Sequence, residues 1–83
     1  MIRIYGRDNC SFCNKAKAFA KMKDMHFEYD DDPETLKWAV EHSGMKTVPI
    51  IYFDHEEWDT GMNLIGGFND FVVWYADRKE NSL

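Results

Sequence analysis

The spacing Cys10-Ser11-Phe12-Cys13 sits where an apolar strand hands over to a helix, and this placement restricts the fold more than any other feature of the chain. Upstream, "IRIYG" alternates Ile2 and Ile4 and stops at Gly6, the pattern of a short strand. Downstream, Phe12, Ala16, Phe19 and Ala20 recur at helical spacing, with no helix breaker up to Lys23. Two cysteines at such a junction have three uses: a redox pair, part of a metal site, or a disulfide staple.

Size and charge narrow the choice. Eighty-three residues without a linker, repeat or low-complexity tract make one small domain over residues 1–83. The apolar share of 45% suffices for a core. A net charge of −5 and the lack of a dominant Lys/Arg cluster argue against nucleic acid or an anionic membrane as partner, although Lys15, Lys17, Lys21 and Lys23 gather on one helix. No apolar run reaches the length of a membrane span and no leader pattern opens the chain, so a soluble cytoplasmic protein is expected. In a reducing compartment a staple is disfavoured, which leaves redox chemistry or metal.

The rest of the chain supplies further elements. "HFEYD" (26–30) reads as a second strand. Asp32-Pro33 is a helix start, and Leu36, Ala39, Val40 and Ser43 share a face before Gly44 ends that helix. "VPIIYF" (48–53) has the composition of a central strand buried on both faces. An acidic segment from Asp54 to Met62 follows, a solvated loop or a docking surface in which Trp58 favours contact. Then come a brief "LI" strand, Gly66-Gly67, and a last helix capped by Asn69, with Phe71, Trp74, Tyr75 and Arg78 along one side and a fraying "KENSL" end. The order β-α-β-α-β-β-α predicts a parallel first pair of strands and an antiparallel last pair.

Inside a β-α-β unit, C-x-x-C carries redox meaning. Cys10 at the N-cap or first turn and Cys13 one turn later can bring their sulfurs together. The unpaired N–H groups and dipole at the helix start favour a thiolate at Cys10 over the deeper Cys13. Such motifs lower a thiol pKa from about 8.5 into a range of roughly 3.5–7.5. Cys10 is therefore the expected nucleophile and Cys13 the resolving thiol, with Arg7 and Lys15 as sources of positive potential. Two inert buried thiols are the plain alternative. Zinc needs four ligands, and His26, His42 and His55 have no metal spacing, so no metal site is expected.

With these residues the chain resembles the glutaredoxin family along nearly its whole length. "CSFC" at Cys10 to Cys13, "TVP" at Thr47 to Pro49 and "GGFND" at Gly66 to Asp70 carry the likeness in the family's order. The resemblance implies an α/β thioredoxin fold: a four-stranded mixed sheet with three helices on its two faces. It also implies glutathione-dependent reduction of protein disulfides, ribonucleotide reductase among them, and of glutathione mixed disulfides. Glutathione would act as electron donor, with no permanently bound cofactor, on a protein expected to be a monomer.

The same resemblance gives two other motifs a role. Pro49 alone reads as a tolerated strand-opening proline; by likeness the Val48-Pro49 bond is cis and presents Val48 to the cysteinyl part of glutathione. Gly66-Gly67 alone reads as a turn; by likeness Gly67, Phe68, Asn69 and Asp70 receive the glutamyl end, with Phe12, Thr47 and Arg7 completing the binding set. Ser11 and Phe12 depart from the Pro-Tyr of many members, and Phe68 lacks a hydroxyl found in others. A small residue at position 11 also occurs in members that hold an iron–sulfur cluster through the first cysteine and glutathione. That is one alternative reading, and a redoxin reduced by thioredoxin reductase is the other.

Overall fold

The computed structural model describes residues 1–54 and 61–81. In chain order it builds β1 (Ile2–Tyr5), α1 (Ser11–Met22), β2 (Phe27–Asp30), α2 (Pro33–Ser43), β3 (Ile50–Asp54), β4 (Met62–Gly66) and α3 (Phe68–Asn81). The sheet order is β2-β1-β3-β4, with β1 parallel to β2 and antiparallel to β3, and β3 antiparallel to β4. This is the mixed sheet and element order expected from the sequence.

Strand alternation divides the core into two layers. Ile2, Ile4 and Ile51 point to one face, where they meet Ala16 and Ala20 of α1 and Phe71 of α3. Tyr5, Ile50 and Tyr52 point to the other, against Leu36 and Ala39 of α2. Because successive strand side chains face opposite ways, β3 buries residues on both sides, as a central strand must. The small residues Ala16, Ala20 and Ala39 let the helices approach the sheet closely.

Local signals explain the ends of the elements. Asp32 caps α2 by accepting a hydrogen bond from the Glu34 N–H at 3.0 Å, and Pro33 takes the first helical position. Gly44 ends the same helix at φ 76°, a left-handed conformation in which glycine has no steric penalty.

The main differences from the sequence expectation fall at four boundaries. The ladder of β3 starts at Ile50, because Pro49 has no N–H to donate to it. Pairing with β3 extends β4 over Met62–Gly66, well beyond a brief "LI". Helix α3 opens at Phe68, so Gly67 stands before its first turn and Asn69 lies inside that turn. At the far end α3 runs on to Asn81, since Lys79, Glu80 and Asn81 include no helix breaker. Of the acidic segment, residues 55–60, with His55 and Trp58, lie outside the described residues.

Two of the three histidines are in view. His26 is exposed. His42 stacks on Trp38, ring centroids 4.8 Å apart, and its Nδ1 lies 2.8 Å from the Tyr52 hydroxyl. Among the described residues no group of three or more His, Cys, Asp or Glu side chains converges as metal ligands would, and no helix is long and apolar enough to cross a membrane.

Candidate active site

The topology carries the chain from the C-terminal end of β1 through a short loop into α1, and the cysteines stand at that entry. Cys10 is the N-cap of α1, with extended φ −105° and ψ 112°, and its Sγ accepts a hydrogen bond from the Cys13 N–H at 3.2 Å. Sulfur thus fills the place usually taken by a serine or aspartate oxygen. The two cysteines form a disulfide, with Cα atoms 5.1 Å apart, inside the range such bonds need. Their exposures differ. Cys13 is fully buried in the first turn, whereas Cys10 is partly exposed. An incoming thiol meets Cys10 first.

Gly6 lies directly beneath the pair. A Cβ placed there would stand 2.7 Å from Cys13 Sγ and against the Tyr29 hydroxyl, so only glycine lets the strand end pass under the disulfide. Tyr29, on β2, donates its hydroxyl to the Arg7 carbonyl at 3.0 Å and carries Lys17 over its ring at 4.1 Å. Burial raises the Tyr29 pKa, helped by the neighbouring charges of Asp31 and Asp8. Asn9 completes the loop at φ 58°, a conformation that asparagine tolerates better than most residues. Neither the closeness of Cys13 Sγ to Gly6 nor the Tyr29 clamp has a signal in a single sequence, since both depend on tertiary approach and not on local pattern.

Beside the cysteines opens a cleft of about 470 Å³. Phe12 and Phe68 form one wall, their rings 6.3 Å apart, with Lys15 lying 4.8 Å over Phe12. Thr47, Val48 and Pro49 form the second wall, on the loop before β3, and the Val48-Pro49 peptide bond is cis. Gly67, Asn69 and Asp70, at the start of α3, close the third side. The structure therefore gathers Phe12, Thr47, Val48, Pro49, Gly67, Phe68, Asn69 and Asp70 into one cleft. Met45 also lines it, a residue with no motif to mark it.

The start of α3 is organised by Asp70, whose Oδ2 accepts the Gly67 N–H at 3.0 Å, the reach-back half of a capping box. Gly66, at φ 127°, is required by this arrangement: a Cβ on it would stand 2.8 Å from the Cβ and Cγ of Asp70. Gly67 is under no such pressure, its nearest neighbours lying 3.8 Å or more from an added Cβ. The first intrahelical bond is Phe71 N–H to Gly67 C=O, so the N–H groups of the preceding turn have no helical acceptor. They form a donor-rich end to the cleft.

Arg7 is placed elsewhere. It is exposed on the loop three residues before Cys10 and lines a second depression, formed with α2, that shares no residue with the cleft. Sequence spacing put Arg7 near the cysteines but could not say which side of the loop its side chain takes.

Comparison with known proteins agrees with this geometry. The glutaredoxin family model matches residues 2–58. Glutaredoxin 3 of Escherichia coli K12 is 29% identical over 75 residues, covering 87% of this chain and 82% of its own. A Brucella melitensis glutaredoxin structure superposes with a TM-score of 0.70 at 29% identity, over 99% of this chain and 85% of that one. Glutaredoxin 1 of Francisella tularensis, solved with cacodylate, gives 0.64 at 27% identity over 96% and 95% of the two chains. A buckwheat glutaredoxin, solved as a complex with glutathione, gives 0.71 at 17% identity over 94% and 70%, a likeness of fold alone. With its C-x-x-C disulfide at the mouth of α1, the chain belongs to the glutaredoxin family and is a thiol–disulfide oxidoreductase.

Proposed function

We propose that glutathione is the reductant, that Cys10 is the attacking thiol and Cys13 the resolving one, and that the cleft is the glutathione site. One observation carries the reading: an apolar wall, a cis-proline loop and a helix start whose first-turn N–H groups have no helical acceptor converge on a single cleft beside the cysteine pair. The chemistry of glutathione fits these three sides. Its cysteinyl unit, extended, would pair with the Val48 backbone as a short added strand. Its glutamyl carboxylate would take the free N–H groups of the first turn of α3. Its ammonium would meet Asp70, whose carboxylate retains acceptor sites beyond the one given to Gly67. Lys15 over Phe12 supplies positive charge at the rim, and Arg7 adds to the potential of the loop. The buckwheat relative in complex with glutathione lends support by analogy.

The electrons balance in two exchanges. A glutathione thiolate attacks the Cys10 sulfur of the disulfide, forming a Cys10–glutathione bond and releasing Cys13 as a thiolate. A second glutathione attacks the first at its sulfur, and oxidised glutathione leaves with Cys10 as a thiolate. Two glutathiones have lost one electron each. The dithiol then reduces a target: Cys10 attacks the target disulfide, Cys13 attacks Cys10, and the target departs with two protonated thiols. Stabilisation of the Cys10 thiolate by the Cys13 N–H and the start of α1 makes Cys10 the better nucleophile and leaving group. Reduction of ribonucleotide reductase and of glutathione mixed disulfides belongs to this proposal.

Asp70→Asn tests the cleft with little change to the fold, because an amide oxygen can still accept the Gly67 N–H. Removing the charge is expected to raise KM for glutathione about tenfold, the loss of roughly 1.4 kcal/mol. The value of kcat and the melting temperature should stay close to wild type. An unchanged KM would remove Asp70 from the site.

A further inference from the structure

The second depression, of about 500 Å³, shares no lining residue with the cleft beside the cysteines. Its floor is apolar: Pro33, Leu36 and Val40, all on α2. Leu36 is buried, while Val40 and Pro33 keep exposed surface. Its rim is charged in both signs, with Arg7 and Lys37 facing Asp8, Asp31 and Glu41. The ion pairs found among the described residues belong to Arg3, with Glu28 and Asp54, so these rim charges are left to solvent or to a partner.

Glutathione consists of glutamate, cysteine and glycine and has no apolar side chain to place on such a floor. A polypeptide has. We infer that this depression is a specificity subsite for protein substrates, receiving an apolar side chain close in sequence to the cysteine under attack. The inference rests on Cys10 being the attacking thiol. The depression begins at Arg7, three residues from Cys10, hence within about 11 Å along the chain. An extended substrate rises about 3.4 Å per residue, so it reaches the rim at Arg7 within roughly three residues of the target cysteine. The mixed rim suits a peptide backbone and its polar neighbours better than it suits an anion. A volume of this size holds one large side chain with adjoining backbone.

The test uses protein reduced beforehand with dithiothreitol, so that it does not depend on glutathione as donor. Peptides of about twelve residues, with one cysteine in a Gly/Ser background, are supplied as mixed disulfides with 2-mercaptoethanol. Cys10 thiolate attacks the peptide sulfur, a new disulfide forms, and 2-mercaptoethanol leaves as thiolate and takes a proton from water. Leucine is moved through the four positions on either side of the cysteine, and the single-turnover rate constant is read for each peptide. One register should react about tenfold faster than the all-serine peptide, the effect of a largely buried leucine. Val40→Asp should reduce that gain to less than about twofold, while the rate with bis(2-hydroxyethyl) disulfide stays within about twofold of wild type. Val40→Thr keeps the shape, and it should lower the gain about threefold even if the aspartate variant fails to fold. A rate that does not vary with leucine position, or a gain that survives both variants, overturns the subsite. Failure of glutathione as donor would appear separately, as absent turnover with glutathione alongside intact peptide kinetics.

Discussion

Cys10→Ser is expected to abolish disulfide exchange, by three orders of magnitude or more, the scale on which loss of a covalent nucleophile is read. Cys13→Ser should keep reduction of small glutathione mixed disulfides within about twofold of wild type and lose reduction of intramolecular protein disulfides. The asymmetry follows from position. Cys10 is the partly exposed N-cap, with its sulfur on a backbone N–H, whereas Cys13 is fully buried and reaches only Cys10. A mixed disulfide with glutathione needs one thiol on the protein and is resolved by a second glutathione. A target disulfide needs the second protein thiol to free it. Coupled turnover assays on the two variants read the difference, and equal losses in both would contradict the assigned roles.

Gly6→Ala should cost ~2–3 kcal/mol, a fall in melting temperature of about 10–20 °C for a domain of this size. The added methyl would stand 2.7 Å from Cys13 Sγ and against the Tyr29 hydroxyl, and neither neighbour is free to move. The sulfur is held in a disulfide, and the hydroxyl is bonded to the Arg7 carbonyl. Tyr29→Phe alone should cost about 1 kcal/mol, the net worth of that bond. Combined, the two changes should cost less than their sum, because removing the hydroxyl clears part of the space the methyl needs. Thermal unfolding of the four proteins gives the coupling. Strict additivity would show that the crowding at Gly6 lies with the sulfur alone.

Much of the fold was legible because the signals are local. Ile2 and Ile4 alternate, Asp32-Pro33 opens α2, Gly44 closes it, and the apolar run ending at Phe53 has the composition of a central strand. Where boundaries moved, pairing and hydrogen bonding outweighed local pattern. Met62 and Asn63 became strand by joining β3, and Asp70 rather than Asn69 organised the start of α3 by reaching back to Gly67.

The site was legible in a different way. Thr47, Val48, Pro49 and the residues from Gly67 to Asp70 stood out by likeness to a family, and the structure then gathered them with Phe12 into one cleft. Met45, Gly6 and Tyr29 stayed silent because their contacts depend on tertiary approach, Tyr29 reaching Arg7 across 22 positions of sequence. For Arg7 the sequence specified the loop but not the side, and that difference separates the cleft beside the cysteines from the neighbouring depression.

The central claim is that electrons enter from glutathione through Cys10. It is tested most directly by turnover of a small glutathione mixed disulfide, coupled through glutathione and glutathione reductase. Turnover that saturates with glutathione and disappears in Cys10→Ser is the predicted result. No turnover by the intact dithiol, alongside rapid reduction of the Cys10–Cys13 disulfide by thioredoxin reductase, would contradict it.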